Sequence, residues 1–221
     1  MEYIEIKKHP IYERVKRILD IIIASVALFV FFPVIVVVIL AIKIDSVGPI
    51  LADTPRRVGR SGKLFKMYKF RSMIQNAHVL LREDPEFAKL YQEYKKGSYK
   101  LINDPRVTRV GRIIRKYSLD EIPQFVNVLK GEMSVIGPRA YYADELKDQQ
   151  ATYPHTQEAV KIVLSVKPGV TGQWQVSGRS AINFDKRIQM DAEYVKKRSL
   201  LYDLIILAKT PWAMISGRGA V

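Results

Sequence analysis

Residues 21–42 read IIIASVALFVFFPVIVVVILAI, an apolar run without a single charge. As one α-helix it would be roughly 33 Å long at about 1.5 Å per residue, enough to cross the core of a bilayer. A secretory signal is the competing reading, but its apolar part would be only about 7–15 residues, with a small-residue cleavage site behind it. This run is longer and ends in Lys43-Ile44-Asp45, so it reads as an anchor. Pro33 stands near its middle, where it removes a backbone hydrogen bond and crowds the preceding turn. Basic residues flank both ends: Lys7, Lys8, Arg14, Lys16 and Arg17 before, Lys43, Arg56, Arg57 and Arg60 after. Positive flanks favour the cytoplasm, so both ends prefer the same face. A helix broken at Pro33 that enters and leaves by that face meets both preferences. A kinked spanning helix is the alternative, and the residues alone leave both open. In the broken form, carbonyls freed near Pro33 are expected to find partners such as the Ser25 or Ser46 hydroxyls. Asp20, at the edge of the run, is expected at the interface and paired with Arg17 or Lys16.

The remainder of the 221 residues is charged and mixed, with 36 Lys and Arg against 22 Asp and Glu, a formal charge of +14. That excess predicts an anionic partner: nucleic acid, acidic lipid or a phosphorylated substrate. There is no Cys and only three His, which excludes disulfides, thiol catalysis and the usual zinc sites. A metal would sit on oxygen ligands, pointing to Mg²⁺ or a relative. The Walker, dinucleotide-binding, nucleophile-elbow and H-E-x-x-H patterns are all missing. No repeats or low-complexity linkers appear, so the division expected is 1–46 as an N-terminal membrane segment and 47–221 as one catalytic domain.

Residues 47–55 read as a short strand, 62–71 as a half-buried strand by their imperfect alternation, and 72–96 as helical, with a charged surface excursion over about 76–102. From 54 to 82 the chain carries Arg56, Arg57, Arg60, Lys63, Lys66, Lys69, Arg71 and Arg82 without a carboxylate. A second acid-free stretch, 105–119, places Arg106, Arg109, Arg112 and Arg115 at every third residue, on a helix that Gly111 weakens. These arginines are either a solvated basic face or phosphate ligands, and they stand one step from two acids.

Those acids are Asp120 and Glu121 in Ser118-Leu119-Asp120-Glu121-Ile122-Pro123-Gln124. Ser118-x-x-Glu121 matches a capping box, which would make the acids ordinary helix starters. A start at Asp120 or Glu121 instead leaves Pro123 harmless in the first turn, and either way the helix N-terminus is expected to keep the acids ionised. An ionised Asp beside a Glu able to hold a cation suits covalent attack on phosphorus, provided cations neutralise the phosphate. The following helix is expected to stop at Lys130-Gly131. Residues 133–139 read as a strand running into a Gly-Pro turn that presents Arg139, and Pro168-Gly169 as a turn with positive φ at Gly169. Gln175 and Arg179 are read into the loop that follows. Residues 199–215 form a helix that is either core or membrane-surface.

In order along the chain stand Lys16-Arg17-x-x-Asp20, Arg57-Val58-Gly59-Arg60, Tyr68-Lys69-Phe70-Arg71-Ser72-Met73, Asp104-Pro105-Arg106-Val107-Thr108-Arg109-Val110-Gly111, the Asp120-Glu121 segment, Asn127-Val128-Leu129-Lys130-Gly131, Gly137-Pro138-Arg139 and Pro168-Gly169-x-Thr171-Gly172. With this set the chain resembles the monotopic phosphoglycosyl transferases, the bacterial sugar transferase family, over roughly residues 12–210. The resemblance suggests a minimal member without an added N-terminal domain. It implies a mixed α/β, membrane-associated fold with a re-entrant, Pro-broken N-terminal helix, a small cytoplasmic catalytic domain and interfacial amphipathic helices. The implied reaction moves a sugar 1-phosphate from a UDP-sugar to polyprenyl (undecaprenyl) phosphate with release of UMP, at the cytoplasmic face of the membrane, at the start of polysaccharide or glycan synthesis. Asp120 would be the nucleophile, Glu121 the Mg²⁺ ligand, and Arg139 of the Gly137-Pro138-Arg139 turn a phosphate ligand. Lys69, Arg112 and Arg115 would share that electrostatic work, with Gln175 and Arg179 as further substrate contacts. Asp191 fits an acidic position whose role the resemblance does not define. Membrane lipid is an implied partner, nucleic acid is not, and a homodimer stays open. Two positions depart from the family pattern: Ala140 where a second Pro usually follows Arg139, and Pro55 where Gln is usual. The rival classes are a membrane-tethered basic binding protein without catalysis, and a transferase that uses Asp120 as a base in one direct displacement.

Overall fold

The computed structural model describes residues 10–96, 99, 101, 103–178 and 182–215. The apolar run forms two helices, α1 Pro10–Val30 and α2 Phe32–Asp45, bent by 60° where they meet. After them come β1 Arg57–Val58, β2 Leu64–Phe65, α3 Ala77–Glu83, α4 Ala88–Lys96, α5 Arg109–Lys116, α6 Gln124–Lys130, β3 Ser134–Ile136, β4 Tyr141–Tyr142, α7 Ala143–Thr152, α8 Gln157–Val163, β5 Gly169–Thr171, α9 Gln173–Ser177, α10 Phe184–Lys197 and α11 Leu200–Ile215. Strands β2, β1 and β4 form one antiparallel sheet in that order, and β3 pairs with β5 in parallel, Ser134 opposite Gly169 and Ile136 opposite Thr171.

Pro33 falls in the first turn of α2, where its missing N–H is no loss, so the break precedes it at Phe31. The main-chain ladder resumes at once: Phe31 N donates to Ala27 O at 2.9 Å and Ile35 N to Phe31 O at 2.8 Å. Ser46 contributes its carbonyl, which accepts from Arg71 Nη2 at 2.8 Å, rather than the hydroxyl anticipated for it. Among the described residues no single helix is long and apolar enough to cross a membrane, although the bent pair together passes by length and composition.

Helix α1 has two unlike faces. On one, Tyr12 Oη and Lys16 Nζ donate to Asp203 of α11 at 2.9 and 2.7 Å, and Arg17 donates to the Val128 and Leu129 carbonyls at the end of α6. Asp20, one turn on, is buried and accepts from Ser134 Oγ and Val135 N of β3 at 3.0 and 2.8 Å. The expectation that Asp20 stays at the interface with Lys16 or Arg17 is therefore corrected: those cations are spent on Asp203 and on α6, and two donors from β3 make burial of the carboxylate tolerable. The other face carries Ile11, Ile18, Ile22, Val26 and Phe29, all exposed. Spaced three or four residues apart apart from one heptad step, they make an apolar stripe. The far end of α2 is tied to the same body, because Val110 N of α5 donates to Asp45 Oδ2 and Arg71 Nη1 to Val47 O.

Besides a small cluster of Leu81, Tyr94 and Tyr99, two apolar cores result. The larger packs α8, α10 and α11 with β3 around Val160, Phe184, Ile188, Val195 and Ile206. The smaller sets Val38 and Ile42 of α2 against Ile114 of α5 and Ile122, directly beneath the acidic segment. Helix α2 thus supports the turn that bears the two acids.

Several local expectations change. Residues 47–55 contribute a single bridge, Leu51 to Phe70, instead of a strand. Within 62–71 only Leu64–Phe65 is strand, because the next residues are gripped by a side chain: buried Asn127 accepts from Tyr68 N at 2.9 Å and donates to Lys66 O at 2.8 Å. The helical stretch over 72–96 breaks at Asp84-Pro85. Its charges are not all idle, since Lys95 and Tyr99 bind Asp148 of α7 and Arg82 binds Asp144. Gly169 lies in β5 with no positive φ; what it supplies is closeness, since a Cβ there would overlap the Gly137 main chain. Gly131, by contrast, ends α6 in the left-handed region at φ 80°, as the Lys130-Gly131 signal predicts. Helix α11 joins both readings of 199–215: Ile206 and Asp203 are buried, whereas Leu201, Leu204 and Trp212 are exposed.

Candidate active site

The acid pair sits between α5 and α6. Ser118 turns the chain with φ 56°, Leu119–Glu121 make one 3₁₀ turn, and Pro123 immediately precedes α6. The capping-box reading fails here, because left-handed Ser118 makes no capping bond to the turn. Phe70 N donates to the Asp120 carbonyl at 2.9 Å, which brings the strand-like segment bearing Lys69 alongside.

Lys69 Nζ lies 2.6 Å from Glu121 Oε1 and 3.7 Å from Asp120 Oδ2. Asp120 is 7% exposed and Glu121 is more open. Burial pushes the Asp120 carboxyl above the ordinary carboxylate range; Lys69 and Arg115 oppose the shift and Glu121 adds to it. The shift of Asp120 thus follows its burial and not the helix-terminus field expected to act on it, since the helix start here is one 3₁₀ turn.

The pair opens into a cavity of about 580 Å³ that also takes in Lys69, Arg115, Arg139 and Gln175. Of the site residues read from sequence, these six come together. Arg112 does not, being exposed on α5 away from the lining. The arginine row separates in the same way. Arg106, ahead of α5, is buried on the same cavity and paired with Asp104 at 2.6 Å, whereas Arg109 is exposed, because a helical turn of 3.6 residues carries the three-residue repeat of Arg109, Arg112 and Arg115 around the helix. Pro138 lies buried behind the lining, with its carbonyl accepting from Gly169 N at 2.8 Å. Gln175 belongs to α9 and not to a loop. Arg179 lies outside the described residues.

Arg139 is held from several directions. Its main-chain N–H donates to Asp191 Oδ2 at 3.0 Å, and its guanidinium lies 5.3 Å from the Trp174 ring and 5.9 Å from the Tyr141 ring. The backbone bonds through Asp191 and Gly169 fix the Gly137-Pro138-Arg139 turn without the second proline, so Ala140 does not leave it loose. Ala140 O in turn accepts from Arg57 Nη1, whose guanidinium lies against the Tyr142 ring at 3.3 Å.

Beneath this turn are residues that sequence reading missed. Glu145 of α7 accepts from Arg187 of α10 at 3.1 Å, and both are fully buried. Asp191, also fully buried and bonded to Tyr141 Oη, has its carboxyl raised to about 7, burial outweighing the Arg139 N–H and Arg187. Two acids and two arginines thus make a compensated buried set. The excursion forms a further wall with His78, Tyr94 and Tyr99. His78 is lowered to about 3 by burial and by Arg57, Arg106 and Arg82, so it stays neutral.

The oxygen donors suit a hard cation. Asp120 and Glu121 are adjacent carboxylates on one cavity, and among the described residues no cluster of three or more His, Cys, Asp or Glu exists that could cage a metal alone. Mg²⁺ accepts such a site, taking one or two carboxylates and completing its shell with water and substrate phosphate.

A family model described as bacterial sugar transferase matches residues 11–217. An uncharacterized sugar transferase of Haemophilus influenzae is 44% identical over 93% of this chain and 42% of its own length. The undecaprenyl-phosphate galactose phosphotransferase of Salmonella typhimurium is 42% identical over 93% of this chain and 41% of its own length. The exopolysaccharide production protein ExoY of Rhizobium meliloti is 39% identical over 96% of this chain and 90% of its own. The chain therefore spans less than half of the first two and most of the third. The model match covers the bent helix pair, the acid-bearing turn and the Arg139 turn alike, and on that footing the chain belongs to the bacterial sugar transferase family.

Proposed function

We propose that the chain transfers a sugar 1-phosphate from a UDP-sugar to polyprenyl phosphate through a covalent intermediate on Asp120. The observation that carries this is the buried Asp120 carboxyl on a cavity lined by seven Lys and Arg, Lys69, Arg115 and Arg139 among them, against four acids. A Salmonella relative named for undecaprenyl phosphate and galactose phosphate supports the substrate class.

In the first half-reaction an Asp120 oxygen attacks the sugar-bearing phosphorus. The bond from that phosphorus to the bridging oxygen breaks, and UMP leaves with the electron pair. In the second, an oxygen of polyprenyl phosphate attacks the same phosphorus and the aspartyl oxygen departs, giving polyprenyl diphosphate-sugar and the free carboxylate. Asp120 must be ionised to begin, so its raised pKa makes the neighbouring cations part of the chemistry. Lys69 and Arg115 hold negative charge on the carboxylate and on the phosphate it attacks, and Arg139, on the same cavity, grips the diphosphate. Glu121 would hold Mg²⁺, which would supply Lewis-acid neutralisation of the departing phosphate.

The membrane seat follows the same reading. Both ends of the bent helix pair are bonded to one body, Arg17 to α6 and Asp45 to α5, which fits entry and exit at a single face. The exposed side chains of Ile18, Ile22, Phe29 and Phe32 form a larger apolar surface than water-facing protein normally presents. The cytoplasmic face, where both basic flanks prefer to lie, is the side assigned.

The test is intact-mass measurement after incubation with UDP-sugars and Mg²⁺ but no polyprenyl phosphate. The donor that supports UMP release should add one phospho-sugar to the protein, and Asp120→Asn should abolish both. A proven donor that leaves no adduct would favour direct displacement, with Asp120 as a base.

A further inference from the structure

On the opposite side of α1 from its apolar stripe lies a second cavity, of about 200 Å³, whose lining includes Lys16, Arg17, Arg60, Lys167 and Arg198 against Glu13 and Asp20. None of these residues touches the Asp120 cavity. Two of the cations are already neutralised, since Lys16 pairs with Asp203 at 2.7 Å and Arg198 with Glu13 at 3.0 Å. Asp20 spends its Oδ1 on Ser134 and Val135. Among the described residues Arg17, Arg60 and Lys167 form no salt bridge with any carboxylate. Arg17 serves the α6 carbonyls, which leaves Arg60 and Lys167 without a directly paired carboxylate on the cavity.

The fold drives these cations together. Ser61 N donates to Leu164 O at 2.7 Å, which fixes the turn carrying Arg60 beside the segment carrying Lys167. A Cβ built on Gly131 would be 3.6 Å from both Arg17 Nη2 and Lys167 Nζ, so the two groups meet over the glycine that ends α6. The ammonium of Lys167 is lowered by burial first and then by Arg17 and Arg60, while Asp20 and Glu13 oppose the shift. Like charges gathered this closely are costly unless an anion joins them.

The height of this cavity names the anion. Lys16, Arg17 and Asp20 stand immediately before the charge-free run that starts at Ile21. A headgroup at this level can place its phosphate among the cations.

We propose that the cavity bounded by Arg17, Arg60 and Lys167 binds the phosphate of an anionic membrane phospholipid, at a site separate from the reacting centre. The source of the phosphate rests on the membrane seat proposed above; the cation cluster does not.

The experiment uses the full chain in detergent and follows thermal unfolding with added short-chain phosphatidylglycerol, phosphatidylcholine or inorganic phosphate. Phosphatidylglycerol should raise the midpoint by several degrees, and the double variant Arg60→Gln/Lys167→Gln should lose that rise. Native mass spectrometry of the same samples should show one retained phosphatidylglycerol on the parent and none on the variant. Phosphatidylcholine acting as well as phosphatidylglycerol, or a variant that responds like the parent, would overturn the site. Inorganic phosphate matching the lipid at equal concentration would overturn the lipid source and leave a free-phosphate site. Lys63→Gln, on the same turn but outside the cavity, controls for general charge loss, and a lipid rise lost in it too counts against the site. Co-sedimentation with vesicles reads the membrane seat separately: the variant should still sediment, and a parent that stays in solution would defeat the seat itself.

Discussion

Lys69 donates to Glu121 at 2.6 Å from a position 3.7 Å from Asp120, so a single ammonium spans both members of the acid pair. It is the largest influence lowering the Asp120 pKa against the burial that raises it.

Replacing Lys69→Gln should therefore move the acidic limb of the kcat/KM profile to higher pH. The attacking form is the carboxylate, so activity falls as pH drops through the raised pKa, and removing the cation raises that pKa further. The accompanying loss at neutral pH should be about 10²-fold, typical of one electrostatic donor. A loss of that size with an unmoved limb would mean that Lys69 touches only the substrate.

Arg115 and Arg112 stand three residues apart on α5, one lining the cavity and the other exposed outside it. Arg115→Ala should cost about 10²-fold or more in kcat/KM. Arg112→Ala should stay within about twofold, and a comparable loss there would return Arg112 to the phosphate-binding set. UMP release under matched donor concentrations makes the comparison.

Asp191 makes stability depend on pH in a defined direction. Its folded pKa of about 7 lies above the unfolded value, so its contribution is fully present below about pH 4 and is lost as pH rises through 7. Asp191→Asn should flatten the difference in thermal midpoint between pH 5 and pH 8. An unchanged difference would place the dependence on another group. The same variant should raise KM for the donor more than it lowers kcat, because Asp191 acts through the Arg139 main chain.

Because the chain has no cysteine, single substitutions report topology without background. Arg14→Cys and Asp53→Cys, both exposed, should react with an impermeant maleimide only from the cytoplasmic side. Phe31→Cys, at the bend, should resist the reagent from either side. Labelling of the first two from opposite faces would mean a crossing helix.

The parts of the molecule legible in sequence are those whose chemistry is contiguous. The broken apolar run, the Asp120-Glu121 pair, the Arg139 turn and the Gly131 stop all declare themselves within a few residues. What escaped depends on partners far along the chain. Asp20 looked like an interfacial acid because its true donors, Ser134 and Val135, come more than a hundred residues later. Glu145 and Arg187 showed no local pattern, yet they support Arg139 from two different helices. The arginine row misled for the reverse reason: regular spacing suggested one surface, and helical rotation dispersed it. Short strands in 47–71 were over-read, because a single buried Asn127 does by side chain what a ladder would do by backbone.

Asp203 receives three donors at once, Tyr12 and Lys16 from the first helix and Tyr194 at 2.6 Å from the tenth. Cutting away the N-terminal segment to obtain a water-soluble fragment would strip two of the three and leave a 6%-exposed carboxylate with its main counterion gone. Truncation and solubilisation are thus incompatible goals for this protein: the helix with the exposed apolar stripe doubles as internal scaffolding, and purification has to carry it along intact.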